Sequence, residues 1–166
     1  RVVGKNPPRS VIRAADAVGA EPVGYVESIA EEFARATVFV VPLWTGAGVR
    51  VKIIEAMAAR VPVVATRLAA EGLGLTPGEH YAADDTAGGL GGQVATLLLA
   101  PEVRAALAQR GRALAETRWS LEAVAALQNY LCAEVASPGF ASARAKSETA
   151  RGTRNGTAVQ TERPSA

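Results

Sequence analysis

The residues with the types and spacing for chemistry lie between Val38 and Leu73. Four consecutive apolar residues, Val38-Phe39-Val40-Val41, end at Pro42, and a loop of small residues follows, Thr45-Gly46-Ala47-Gly48. That loop feeds a predicted helix running to about Arg60. The first N–H groups of a helix have no partner inside it and carry the positive end of its dipole. Gly46 and Gly48 let the backbone come close to a ligand. Together these make an anion site that a diphosphate fits. A plain strand-to-helix turn reads the same way, because a short G-x-G is a weak motif.

The helix adds a second feature. Val49, Ile53, Ala56 and Met57 form its apolar stripe, while Gly48, Lys52, Glu55 and Ala59 step by four, three and four along the opposite face. Glu55 is followed by Ala56-Met57-Ala58-Ala59, so that face is otherwise small and uncharged until Arg60. A carboxylate one to two turns past an anion-binding terminus can accept hydrogen bonds from ribose hydroxyls while the amides hold the phosphates. The competing account is a solvated i,i+3 pair of Lys52 with Glu55, worth a few tenths of a kcal/mol. Arg50 falls nearer the apolar side of the wheel and is the weaker candidate.

Positioning that loop requires a strand–helix alternation, and the first 135 residues supply one. Val2-Val3 ends at Gly4; Pro8 to Ala17 reads as a helix with Pro early; Val23 to Val26 is a short strand; residues 27–36 form a helix with acids in its first half and Arg35 near its end. Val38–Val41 reads as a strand buried on both faces. Pro62-Val63-Val64-Ala65 is a second such strand, residues 72–78 are turn-rich, and His80–Ala83 is a weaker strand. Helical stretches follow at about 86–99, 102–116 and 120–135, the last with Ser120 as its cap. Strands separated by helices imply an α/β fold with a doubly wound parallel sheet. Ligands of such sheets bind at the carboxyl ends of the strands. No G-x-G-x-x-G follows the first strand, which argues against a dinucleotide-dependent oxidoreductase.

The run from Pro42 through Glu55-Ala56-Met57-Ala58-Ala59 to Pro62-Val63-Val64-Ala65-Thr66 resembles the signature of family 4 (group 1) glycosyltransferases of GT-B fold. The order of elements from Arg1 to about Tyr130 is similar to that family's C-terminal, Rossmann-like domain. The resemblance implies that Glu55 is the second acid of an E-x7-E motif and holds the nucleotide ribose. It implies that Gly46 to Val49 lies against the diphosphate and donor sugar, and that Gly24-Tyr25-Val26 precedes a loop near the base. Two departures accompany it. The first acid of E-x7-E falls at Ala47, with Lys52 as an electrostatic substitute. The strand and helix that open the family's domain, and its acceptor-binding N-terminal domain, have no counterpart in the sequence.

The chain is therefore expected to be an N-terminally truncated nucleotide-sugar half, residues 1–135, followed by a disordered tail, residues 136–166. The expected activity is retaining hexosyl transfer to a glycan or lipid-linked acceptor by the longer enzyme, with no catalytic residue assigned and the isolated piece inactive. No cofactor and no metal are expected, the nucleotide diphosphate sugar being the donor substrate. The missing N-terminal domain is the expected protein partner, through which the enzyme would touch a membrane from the cytoplasmic side. The alternative is a non-catalytic nucleotide-binding or interaction domain of the same fold.

The remaining chemistry is sparse. Glu71 follows a strand at its carboxyl end and either faces the sugar or its phosphate or starts a short helical turn. Trp44, beside the glycine loop, shields the donor pocket, meets the missing domain or simply packs. His80, the only histidine, reads as a surface structural residue. Asp84-Asp85 is not the D-x-D of metal-dependent transferases and reads as a helix cap. A single cysteine, Cys132, leaves no internal disulfide. Residues 136–166 carry a net charge of +3 against +2 for the whole chain, which leaves −1 on the first 135 residues and no basic footprint for nucleic acid.

Overall fold

The computed structural model describes residues 1–46 and 48–136. Two parallel sheets carry the architecture. The first pairs β1 (Val2–Val3) with β2 (Pro22–Gly24), and the second has the order β3 (Phe39–Val41), β4 (Val63–Ala65), β5 (Ala82–Ala83). Helices α1 (Arg9–Ala17), α2 (Ile29–Arg35), α3 (Val51–Ala58) and α4 (Arg67–Ala70) connect successive strands, and α5 (Ala87–Leu99) and α6 (Pro101–Trp119) follow β5. Residues 1–117 form one compact unit. The second unit, from Arg118 on, contains α7 (Leu121–Ala136), whose Ala123 N–H bonds the hydroxyl of Ser120, the cap read from the sequence. Beyond Ala136 the expectation of a disordered tail lies outside the described residues.

The core centres on β4. Val63, Val64 and Ala65 are all fully buried, as a continuous apolar run predicts for a strand covered on both faces. Val64 packs with Ala82, Leu90, Leu97 and Leu107. From α3 come Ile53, Ala56 and Met57, the apolar stripe expected of that helix. Gly111 of α6 is buried against Met57: a Cβ there would lie 3.2 Å from Met57 Cγ, so glycine sets how closely α6 approaches. Arg112 on the same helix donates to the carbonyl of Ala58 at 2.6 Å, satisfying one of the orphan carbonyls at the end of α3. Elsewhere Phe33 of α2 meets Phe39 of β3 edge-on, 5.2 Å between ring centroids. Arg1 bonds Glu21 and Glu32, tying the start of β1 to the turn before β2 and to α2.

Two strand expectations are corrected. β3 is not covered like β4. It is the outer strand of its sheet, bonded to β4 alone within it, and Val40 is 39% exposed. The apolar run reports strand character, but the number of neighbouring strands is a tertiary matter. The second strand ends at Gly24, whose φ of +76° turns the chain out, so Tyr25 and Val26 belong to the following loop. Among the described residues no helix is long and apolar enough to cross a membrane.

Candidate functional site

The carboxyl ends of β3, β4 and β5 lie side by side, and the sequence puts its chemistry there. After β3 the chain passes through Gly46 (φ +126°) and Gly48 (φ +93°) before entering α3. Both conformations are ones that side-chain-bearing residues rarely adopt, so the two glycines are required by backbone geometry. Ala47 between them lies outside the described residues. The helix starts later than the sequence suggests. Gly48 and the non-helical backbone of Arg50 (φ −90°, ψ 76°) keep residues 48–50 out of the helix, and α3 begins at Val51. Val49 is therefore not in the buried stripe: it precedes the helix and is 59% exposed.

Lys52 and Glu55 occupy the first turns of α3, and Lys52 Nζ lies 2.8 Å from Glu55 Oε2. Both side chains reach solvent, and the i,i+3 pair that the spacing allows is formed on the helix surface. Arg50, the weaker sequence candidate, is drawn back onto the glycine loop. Its Nη1 donates to the carbonyl of Gly48 at 2.5 Å, and its Nη2 stands 3.0 Å from where a Cβ on Gly46 would be. The guanidinium thus lies against the glycine loop and places a positive charge beside it.

Beneath the loop Thr66 is the anchor. It is the one described polar residue that is buried, 1% exposed. Its hydroxyl donates to the carbonyl of Leu43 at 2.5 Å and accepts from the N–H of Ala69 at 3.2 Å, so it holds the β3 loop and caps α4 at once. Asp85, after β5, completes the brace. Its Oδ1 accepts from the backbone N–H of Arg67 at 2.8 Å and its Oδ2 from the Arg67 guanidinium at 2.6 Å. Its carbonyl accepts from the indole Nε1 of Trp44, also at 2.6 Å. The bonds from Arg67, first from its backbone N–H and then from its guanidinium, hold the Asp85 carboxyl below the usual carboxylate range. Asp84 is lowered too, by the backbone N–H and then the hydroxyl of Thr86.

These contacts revise the reading of Asp84-Asp85. The cap of α5 is Thr86, whose Oγ1 accepts from the N–H of Gly89; Asp84 supports that cap, and Asp85 serves the start of α4 instead. His80 is largely shielded rather than on the surface: its Nδ1 accepts from the backbone N–H of Thr76 at 3.0 Å, closing the turn before β5. Glu71 is the exposed C-cap of α4 and opens the turn of residues 71–74, the second of the two roles read from the sequence. Tyr25 is 69% exposed in the loop after β2, a strand of the other sheet from β3. Among the described residues no group of three or more His, Cys, Asp or Glu could hold a metal ion. Thr66 was detectable as a strand-end threonine before a helix. The link of Trp44 to Asp85 spans 41 residues and has no local signal.

Similarity to known proteins agrees with this geometry. The family model of the group 1 glycosyl transferases matches residues 1–116. No curated protein matches. Among solved structures, the chain is similar to a sucrose-phosphate synthase from Thermosynechococcus elongatus, with a TM-score of 0.68 and 23% identity over 80% of this chain and 37% of that one. It is similar to Anabaena Alr3699/HepE in complex with UDP, with a TM-score of 0.69 and 16% identity over 79% of this chain and 40% of that one. It is also similar to WaaG, a glycosyltransferase involved in lipopolysaccharide biosynthesis, with a TM-score of 0.61 and 21% identity over 70% of this chain and 33% of that one. The chain spans less than half the length of each of these structures. The parallel α/β architecture is thus that of GT-B glycosyltransferases. With the family model covering residues 1–116, the chain belongs to the group 1 glycosyl transferases.

Proposed function

We propose that this chain binds a nucleotide diphosphate sugar and serves as the donor half of a retaining, hexosyl-transferring enzyme. The observation that carries the reading is the glycine loop at the carboxyl end of β3, with Gly46 and Gly48 at positive φ, Arg50 folded onto it and Glu55 on the next helix. The loop and the first amides of α3 supply donors for the two phosphates. Arg50 and Lys52 offset their charge. Glu55, released from Lys52, accepts the ribose hydroxyls. The UDP bound by Alr3699/HepE supports a nucleotide at this fold. No metal enters the proposal, because Asp84 and Asp85 are engaged by Thr86 and Arg67.

Transfer requires an acceptor, a glycan or lipid-linked sugar, and closure of a second domain over the donor. The 166 residues alone therefore bind donor and do not transfer sugar. The complete enzyme would work on the cytoplasmic side, reaching the membrane through its other half. A second reading, a non-catalytic nucleotide-binding or interaction domain, is favoured by Ala47 at the first E-x7-E position and by the Lys52–Glu55 pair. Calorimetric titration tests the site shared by both readings. Affinity should rise from nucleoside to monophosphate to diphosphate; equal affinity for all three would remove the phosphate site. Sugar transfer by the complete enzyme, set against none, separates the two readings.

A further inference from the structure

The site contains an aromatic ring that the nucleotide reading does not use. Trp44 is 50% exposed, although large aromatic side chains contribute most when buried. It is nevertheless fixed from two sides. Its Nε1–H donates to the carbonyl of Asp85, and the carbonyl of the preceding residue, Leu43, accepts the hydroxyl of the buried Thr66. Both anchors stand at the ends of strands in the core sheet, so the ring is held ready instead of being ordered by a ligand. With its single N–H donor already used, the indole has only apolar surface left to offer.

Beside it stands a polar pair of complementary kind. The Asp85 carboxylate takes one bond from Arg67 on each oxygen, and each oxygen keeps a second lone pair. The Arg67 and Asp85 side chains are 63% and 49% exposed. A ligand suited to this place has one apolar face for the ring and vicinal hydroxyls at its edge for the carboxylate and guanidinium. A pyranose has both. A nucleoside also has a flat face and a vicinal diol, but in the nucleotide reading its ribose is held at Glu55, which leaves this place to a pyranose.

We propose that Trp44, with the Arg67–Asp85 pair, forms a pyranose-stacking subsite at the carboxyl ends of β3, β4 and β5. It rests on the nucleotide-sugar reading for the source of the sugar, a donor hexose, and on its own contacts for the chemistry. The chain has two tryptophans, so Trp119→Phe leaves Trp44 as the sole reporter. Emission of that variant is followed during titration with UDP, GDP, UDP-glucose, UDP-galactose, GDP-mannose, methyl glucoside and methyl galactoside. At least one sugar nucleotide should bind about tenfold more tightly than its parent diphosphate and shift the Trp44 emission. Trp44→Ala should erase that increment and leave diphosphate affinity unchanged. Trp44→Phe, which keeps a stacking ring without the tether, should retain most of it, as measured calorimetrically with circular dichroism confirming the fold.

Binding of free hexosides that depends on Trp44, without diphosphate binding, would keep the subsite, assign it to an acceptor sugar and overturn the nucleotide reading. Diphosphate binding that gains nothing from the sugar would overturn the subsite and leave the nucleotide reading standing. So would an equal loss of diphosphate and sugar-nucleotide affinity in Trp44→Ala. Absence of binding by any of the seven ligands would overturn both.

Discussion

Asp85 grips Arg67 twice, through its backbone N–H at 2.8 Å and its guanidinium at 2.6 Å, and so joins the ends of β4 and β5. The carboxyl is held below its ordinary range by those bonds. A group whose pKa is lowered in the folded state contributes stability above its unfolded value, about 4, and loses it as pH falls through the folded value. Wild type should therefore exceed Asp85→Asn in thermal midpoint at neutral pH, with the gap closing on acidification below about pH 4. Midpoints measured from pH 3 to 7 check this. A gap independent of pH would show that the carboxylate charge contributes nothing to the brace.

Thr66 carries more stability than its size suggests. Thr66→Val keeps the shape but leaves the Leu43 carbonyl and the Ala69 N–H without their partner. The expected loss is about 1–3 kcal/mol, from an unsatisfied buried group and a lost cap. Thr66→Ser should recover most of it. Urea unfolding of the three proteins gives the comparison, and a loss under about 0.5 kcal/mol in Thr66→Val would contradict the role.

Gly48 separates loop geometry from global stability. Gly48→Ala forces a side chain onto a φ of +93°, at a cost of about 1–3 kcal/mol if the loop keeps its shape. An exposed loop can relax, so nucleotide affinity should fall at least about tenfold while the unfolding midpoint moves little. Calorimetry and thermal unfolding on the same variant test the pair of outcomes. Unchanged affinity would mean that the backbone at Gly48 does not approach the ligand.

How much of this was legible in the sequence follows the range of each interaction. β4 and the Ile53, Ala56 and Met57 stripe were readable, because periodicity and apolar runs encode burial locally. Ser120 was readable as a cap because a serine hydroxyl before a helix can accept from a first-turn N–H that has no partner inside it. The Lys52–Glu55 pair was visible as one of two alternatives from a spacing of three. The start of α3 was misplaced by two residues, since the positive φ of Gly48 and the non-helical backbone of Arg50 are conformational choices that the apolar pattern does not encode. The exposed edge at Val40 and the meeting of Trp44, Arg67 and Asp85 depend on which strands become neighbours, and no local pattern specifies that.

The central claim is that Glu55 holds a nucleotide. Ligand binding must then exchange the 2.8 Å contact with Lys52 for hydrogen bonds from ribose hydroxyls. Such charge-assisted bonds are worth about 1.5–3 kcal/mol each, and an amide replaces them only in part. Glu55→Gln should therefore weaken nucleoside diphosphate binding about tenfold to a hundredfold with the fold intact. A carboxylate that only pairs with Lys52 on the helix surface would give equal dissociation constants and a stability change of a few tenths of a kcal/mol. Calorimetric titration of UDP and GDP into wild type and Glu55→Gln is the most direct measurement. A loss of affinity in the mutant is the predicted result, and equal dissociation constants would contradict the account.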